Sequence, residues 1–287
     1  MGDLTFVQII GFLAAPFVAS LILTGIHAYL GVHVVERGVI FVDLSLAQIA
    51  ALGATIALLL PFSDGDPHAP LVYWVSLAFT FVGAAIFSLV RGRHARIPQE
   101  AIIGITYAVA SAAAILAMSK STSQAEHLKD MLVGNIIAVS WAEVFKTAVL
   151  YGIIGVFHYV FRRQFLAISL QHDKPDATGL NVRLWDFLFY ASFGFVVTSS
   201  VAIAGVLLVF CYLIVPSVAA MLYAETIGRR LAIGWTMGTI VSALGVCLSL
   251  ILDLPTGATI VCTFGLVLIL MAAVRPLFRR RPAPAVL

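Results

Sequence analysis

Asp43, Ser45 and Gln48 stand close together in the apolar run Phe-Val-Asp-Leu-Ser-Leu-Ala-Gln-Ile-Ala-Ala-Leu-Gly. An ionisable group inside such a run is a functional candidate by default, and clustered oxygen atoms are what a hard cation binds. Asp43 would supply charge, Gln48 a carbonyl. Ser45 and Gln48, three apart, share a helical face, whereas Asp43 and Gln48, five apart, lie roughly 140° around the axis from each other. One straight helix therefore does not aim both at one ion, and further ligands would have to complete the shell. Glu100, which opens another apolar run just after Pro98, is one such acid; its plainer reading is a first-turn carboxylate favoured by the helix dipole. Asp43 has a plain reading too, as a helix N-cap, and Gln48 could serve as an interhelical hydrogen bond. The residues alone leave both open.

Other polar groups carry weaker signals. Asp64, Asp66 and His68 offer metal-ligand types, but the Gly and Pro residues around them also spell a turn. Glu126, His127 and Asp130 are ambiguous in the same way. Asp186 and Asp253 read as span-end residues within reach of water, and His27 and His158 as hydrogen-bonding residues near an interface. Cys211, Cys247 and Cys262 match no metal or redox spacing and read as small apolar residues.

The elements that must hold these groups are long and apolar. Hydrophobic residues make up 61% of the 287, charged residues 11%, and mean hydropathy is +1.05, which excludes a soluble globular domain. Stretches of roughly 17–25 residues, enough to cross ~30 Å of hydrocarbon, cover 6–30, 39–60, 71–90, 101–119, 142–161, 185–201, 203–223, 231–252 and 258–274. They predict an all-α polytopic membrane protein of about nine spans. Residues 1–275 form one transmembrane domain, and 276–287 a basic, disordered cytoplasmic tail. The first span lacks a basic leader and reads as a span that stays. Fourteen of the 17 Lys and Arg residues fall on one side of this alternation, and only Lys120, Lys129 and Lys146 on the other. The basic side is cytoplasmic, so the N-terminus is expected outside and the C-terminus inside. A net charge of +3, with its cations at span ends, points to lipid headgroups rather than nucleic acid.

Residues 185–223 form a nearly unbroken apolar run of 39 residues, too long for one crossing. The run must fold back, and residues 202–205, ending in Gly205, are the small-residue hinge available. Pro216 then breaks or kinks the returning helix ahead of Glu225, Thr226, Gly228, Arg229 and Arg230 on the inner side.

Four segments carry a family resemblance: residues 204–220 with Gly205 and Pro216, the closing Leu252-Asp253-Leu254-Pro255-Thr256-Gly257-Ala258-Thr259-Ile260-Val261, the Leu132-Val133-Gly134-Asn135-Ile136 stretch, and residues 176–182. In order and spacing they resemble the integral-membrane permeases of metal-ion ATP-binding-cassette importers of the zinc, manganese and iron type. The resemblance implies a non-catalytic homodimer in the bacterial plasma (inner) membrane with a translocation path. ATP would be bound and hydrolysed by a partner ATPase subunit, an extracytoplasmic substrate-binding protein would deliver cargo, and this chain would hold no cofactor of its own. It also implies that the loop carrying Glu225 to Arg230 seats on the ATPase. The sequence departs from the family in its second span. The family motif Gly-Asp-Ala-Leu-Ser-His-Ala-Ala-Leu-Pro-Gly, aligned on Gly53, puts Leu44 at the acid position and Gln48 at the imidazole position, with Asp43 one residue early. Imidazole suits zinc better than an amide does, which points to a harder ion or to a cargo other than a bare metal. The competing reading is a gradient-driven carrier or channel. That would call for an inverted repeat and a charged relay, and the first half has no counterpart to Gly205 and Pro216. An intramembrane enzyme would need clustered catalytic groups, which are lacking.

Overall fold

The computed structural model describes residues 6–60, 69–91, 97–119, 134, 136–170 and 179–278. The candidate ligands Asp64, Asp66, His68, Glu126, His127 and Asp130, and the tail from 279 onward, lie outside the described residues. The elements are α1 (Phe6–Glu36), α2 (Val42–Leu59), α3 (Pro70–Val90), α4 (Gln99–Met118), a 3₁₀ turn (Ile136–Ala138), α5 (Trp141–Val160), α6 (Arg162–Leu170), α7 (Val182–Tyr223), α8 (Ile227–Leu252) and α9 (Thr256–Phe278). Among the described residues there is no strand, and eight of the helices are long and apolar enough to cross a membrane. The chain is a multi-pass membrane protein.

Local chemistry sets the helix ends. Ser140 and Glu143 form a reciprocal capping box at the start of α5, and Asn181 Oδ1 accepts from Leu184 N (3.2 Å) at the start of α7. α1 ends in a Schellman turn. Val39 N donates to Val34 O (3.2 Å) and Gly38 N to Val35 O (3.1 Å), with Gly38 at φ 67°.

The reversal expected in residues 202–205 is present in α7. At 42 residues it is roughly twice a bilayer crossing, and it breaks at Gly205 (φ 75°, ψ 160°), a conformation essentially confined to glycine. The first limb runs antiparallel to α1: Asp186 meets Arg37, and Ser200 approaches His27. At the break the backbone touches Gly134, where a side-chain carbon would lie 2.1 Å from Ala204. The second limb returns along α8 and α9, with Tyr212 against Phe264, Pro216 beside Gly234, and Tyr223 donating to the Met271 carbonyl.

Burial separates the helices into two kinds. α4, α5, α8 and α9 expose large apolar side chains such as Leu116, Phe145, Ile251 and Ile269, the surface that lipid tails accept. In α2, by contrast, 14 of 18 residues are buried, because α3, α4 and α7 enclose it. Gly53 and Gly83 permit that closeness: a methyl on either would come within 3.0 Å of Phe79 or Ile49 respectively. The polar cluster read from the sequence therefore sits on the most enclosed span of the molecule.

Candidate functional site

Asp43 occupies the first turn of α2 and is completely buried, yet neither carboxylate oxygen has a hydrogen-bond partner. The Ser45 hydroxyl is buried and unpartnered as well, and Gln48 is 7% exposed. A buried carboxylate without a partner is costly and calls for an explanation. Capping is not that explanation, because Phe41 occupies the N-cap position of α2 and no side chain there makes a cap bond. The capping work is done from outside the helix, since Phe41 N donates to Glu100 Oε1 (3.0 Å) across from α4. Glu100 thus serves the entrance of α2 as well as the first turn of α4, and its second oxygen is buried without a partner. The fold brings Glu100 to the segment that carries Asp43, although the two lie 57 positions apart in the chain. It does not converge a full ligand set. Among the described residues no three His, Cys, Asp or Glu side chains could hold a metal ion together.

The inner loop between α7 and α8 divides its residues between two directions. Glu225, Thr226, Gly228 and Arg229 are exposed. Arg230 turns inward: its Nη1 pairs with Glu36 at the end of α1, and its Nε donates to the Ala224 carbonyl (3.0 Å).

Sequence reasoning missed a buried ionic node at the same end of the molecule. Asp186, read as water-accessible, is 0% exposed and is shared by Arg37 and Arg91, both read as headgroup-facing. Arg37 Nη1 donates to Asp186 Oδ1 (2.7 Å), its Nε donates to Ser169 Oγ (2.8 Å), and its guanidinium lies 3.9 Å from the Phe189 ring centre. Arg91 Nη2 donates to the Ile168 carbonyl (3.1 Å). The node ties α1, α3, α6 and the first limb of α7 together. A signal was available: Asp186 is a lone acid within an apolar stretch, and a charge in that setting needs a partner.

The histidines lie deeper than their sequence positions suggested. His27 Nδ1 lies 2.8 Å from the Leu23 carbonyl, His158 Nε2 lies 2.8 Å from Ser192 Oγ, and His33 Nδ1 lies 2.9 Å from Ser169 Oγ. All three are buried, and each has a hydrogen-bonding neighbour, as expected of His27 and His158. The cysteines are free.

The comparisons with known proteins fit this arrangement. The chain is 24% identical over 258 residues to the manganese transport system membrane protein MntC of Listeria innocua, covering 88% of this chain and 86% of that protein. It is 23% identical over 250 residues to a Haemophilus influenzae protein named "Probable iron transport system membrane protein", covering 87% of this chain and 85% of that protein. Among solved structures, PsaBC from Streptococcus pneumoniae in complex with Fab superposes with a TM-score of 0.74 at 21% identity, covering 91% of this chain and 90% of that one. The profile of the ABC 3 transport family matches residues 10–275. A match over nearly the whole chain means that this chain belongs to the ABC 3 transport family.

Proposed function

We propose that this chain is the membrane permease of an ATP-binding-cassette importer and that it conducts a divalent metal cation past Asp43. The chain is itself non-catalytic, and ATP hydrolysis belongs to a separate subunit. The observation that carries the reading is the Asp43 carboxylate, which is wholly buried and unpartnered on the most enclosed span. An ion in transit would supply the missing partner. The names of the relatives, manganese and iron transport proteins, support a transition-metal cargo. Asp43, Ser45, Gln48 and Glu100 offer oxygen atoms, the donor type that suits manganese. Among the described residues too few ligands converge for a stable site, which favours a homodimer whose paired paths complete the shell. The exposed Glu225, Thr226, Gly228 and Arg229 form the seat for the ATPase, and an extracytoplasmic binding protein delivers cargo at the opposite end. Among the described residues the eight helices long and apolar enough to span, with α7 counted as two limbs, give nine crossings. Together with the distribution of Arg and Lys, they favour an outer N-terminus and an inner C-terminus in a bacterial plasma membrane.

Replacing Gln48 with histidine tests the cargo. Competition assays on uptake should then shift in favour of zinc over manganese, and an unchanged ion preference would remove Gln48 from the path. Topology is tested separately by labelling Asp66→Cys and His94→Cys in intact cells. Reaction of the second from outside would reverse the orientation.

A further inference from the structure

Resting on that reading of the α7–α8 loop, we infer that the Glu36–Arg230 ion pair is the positioning contact through which movement of the loop reaches Asp43. Arg230 binds three structural parts at once. Its backbone N donates to Thr226 O (3.0 Å) in the first turn of α8, its Nε donates to Ala224 O just past the end of α7, and its Nη1 pairs with Glu36 on α1. The two side chains are only 13% and 21% exposed, so water and salt screen the pair less than they would on an open surface. Arg230 is therefore turned away from any partner that docks on the exposed face formed by Glu225, Thr226, Gly228 and Arg229.

What lies beyond Glu36 decides where a displacement goes. The α1 terminus is closed by the two hydrogen bonds of the Schellman turn at Gly38, and Val34 and Val39 on either side of it are buried in the core. Val42 N donates to Val39 O (3.1 Å), and Ser45 N to Phe41 O (3.0 Å), so the hydrogen-bonded chain continues without a flexible gap into α2. Only seven positions separate Glu36 from Asp43. The adjacent Arg37 anchors the same terminus to Asp186 and Ser169, so the junction tilts about a fixed point instead of sliding. A loop displaced by its ATPase partner thus acts on the first turn of α2, where Glu100 caps and Asp43 waits.

The test uses proteoliposomes holding the permease with its ATPase and binding protein, and reads manganese taken up per ATP hydrolysed. Glu36→Gln and Arg230→Met should each lower that ratio roughly tenfold, within the usual range of coupling between sites, while ATP hydrolysis and recovery of the intact complex persist. Arg230→Lys, which keeps the charge and a hydrogen-bond donor, should keep most of the ratio. An unchanged ratio in Glu36→Gln and Arg230→Met, loss of the ATPase from the complex, or a loss in Arg230→Lys as large as in Arg230→Met would each overturn the inference. Wild-type vesicles separate the two levels: if they take up no manganese the permease reading itself fails, whereas normal wild-type uptake with unaffected variants counts against this inference alone.

Discussion

Replacing Asp186 with alanine removes the one carboxylate shared by two buried arginines. The Arg37 and Asp186 side chains are 1% and 0% exposed, and Arg91 is 5% exposed, so neither guanidinium can recover its lost counter-charge from solvent without opening the packing. Removing one partner of a buried pair costs about 3–5 kcal/mol, and the second arginine places this case toward the upper end. At roughly 2–4 °C per kcal/mol, the detergent-solubilised protein should lose roughly 6–20 °C in apparent Tm, read from the fraction that remains monodisperse on gel filtration after heating. Glu225→Ala, the same charge deletion on an exposed residue, should stay within about 0.5 kcal/mol of wild type. Substituting the node as a whole, Arg37→Met and Arg91→Met with Asp186→Leu, should recover most of the loss, because packed apolar groups of similar volume replace buried ions at little cost. The reasoning is refuted if Asp186→Ala melts with Glu225→Ala, or if the triple replacement is worse than the single one.

Gly205→Ala forces a side chain into a backbone conformation that only glycine adopts freely, at about 1–3 kcal/mol, and the same heating assay should register it. Gly134→Ala should be at least as damaging, since its new methyl would sit 2.1 Å from the Ala204 backbone; a silent result would contradict the packing at the reversal. Glu100→Ala removes the acceptor for Phe41 N and should cost about 0.5–2 kcal/mol, whereas Glu100→Gln, which keeps an oxygen there, should be milder; equal losses would mean the bond does not matter. Arg229→Glu, on an exposed side chain, should leave thermal stability unchanged yet weaken co-purification with the ATPase, and undiminished co-purification would take Arg229 out of the docking face.

The spans were legible because crossing hydrocarbon demands long apolar helices, and the reversal in α7 was legible because 39 apolar residues exceed one crossing. The same constraint pointed to the small residues 202–205, and the structure puts the break at Gly205, which takes φ 75° and ψ 160°. α6 was not foreseen: nine residues beginning Arg-Arg-Gln are too short and too polar at the start to stand out from a connection. The ionic contacts were illegible for a different reason. Arg37 and Asp186 are 149 positions apart, and Glu36 and Arg230 are 194 apart. A basic residue at a span end looks alike whether it meets headgroups or a buried acid, and only the packing of α1 against α7 and α8 decides which. At Asp43 the residue types justified two readings, and capping lost its basis only when Phe41 and Glu100 were seen to form the entrance of α2.

ATP-driven manganese uptake by Asp43→Asn permease, assembled with its ATPase and binding protein in proteoliposomes, tests the central claim most directly. Asparagine keeps the size of the side chain and removes its charge, so the fold and the ATPase contact should survive. The account predicts that uptake collapses while ATP hydrolysis and complex assembly continue. Uptake equal to wild type would contradict it, because a cation that passes an uncharged residue 43 as readily as the carboxylate is not being guided by Asp43.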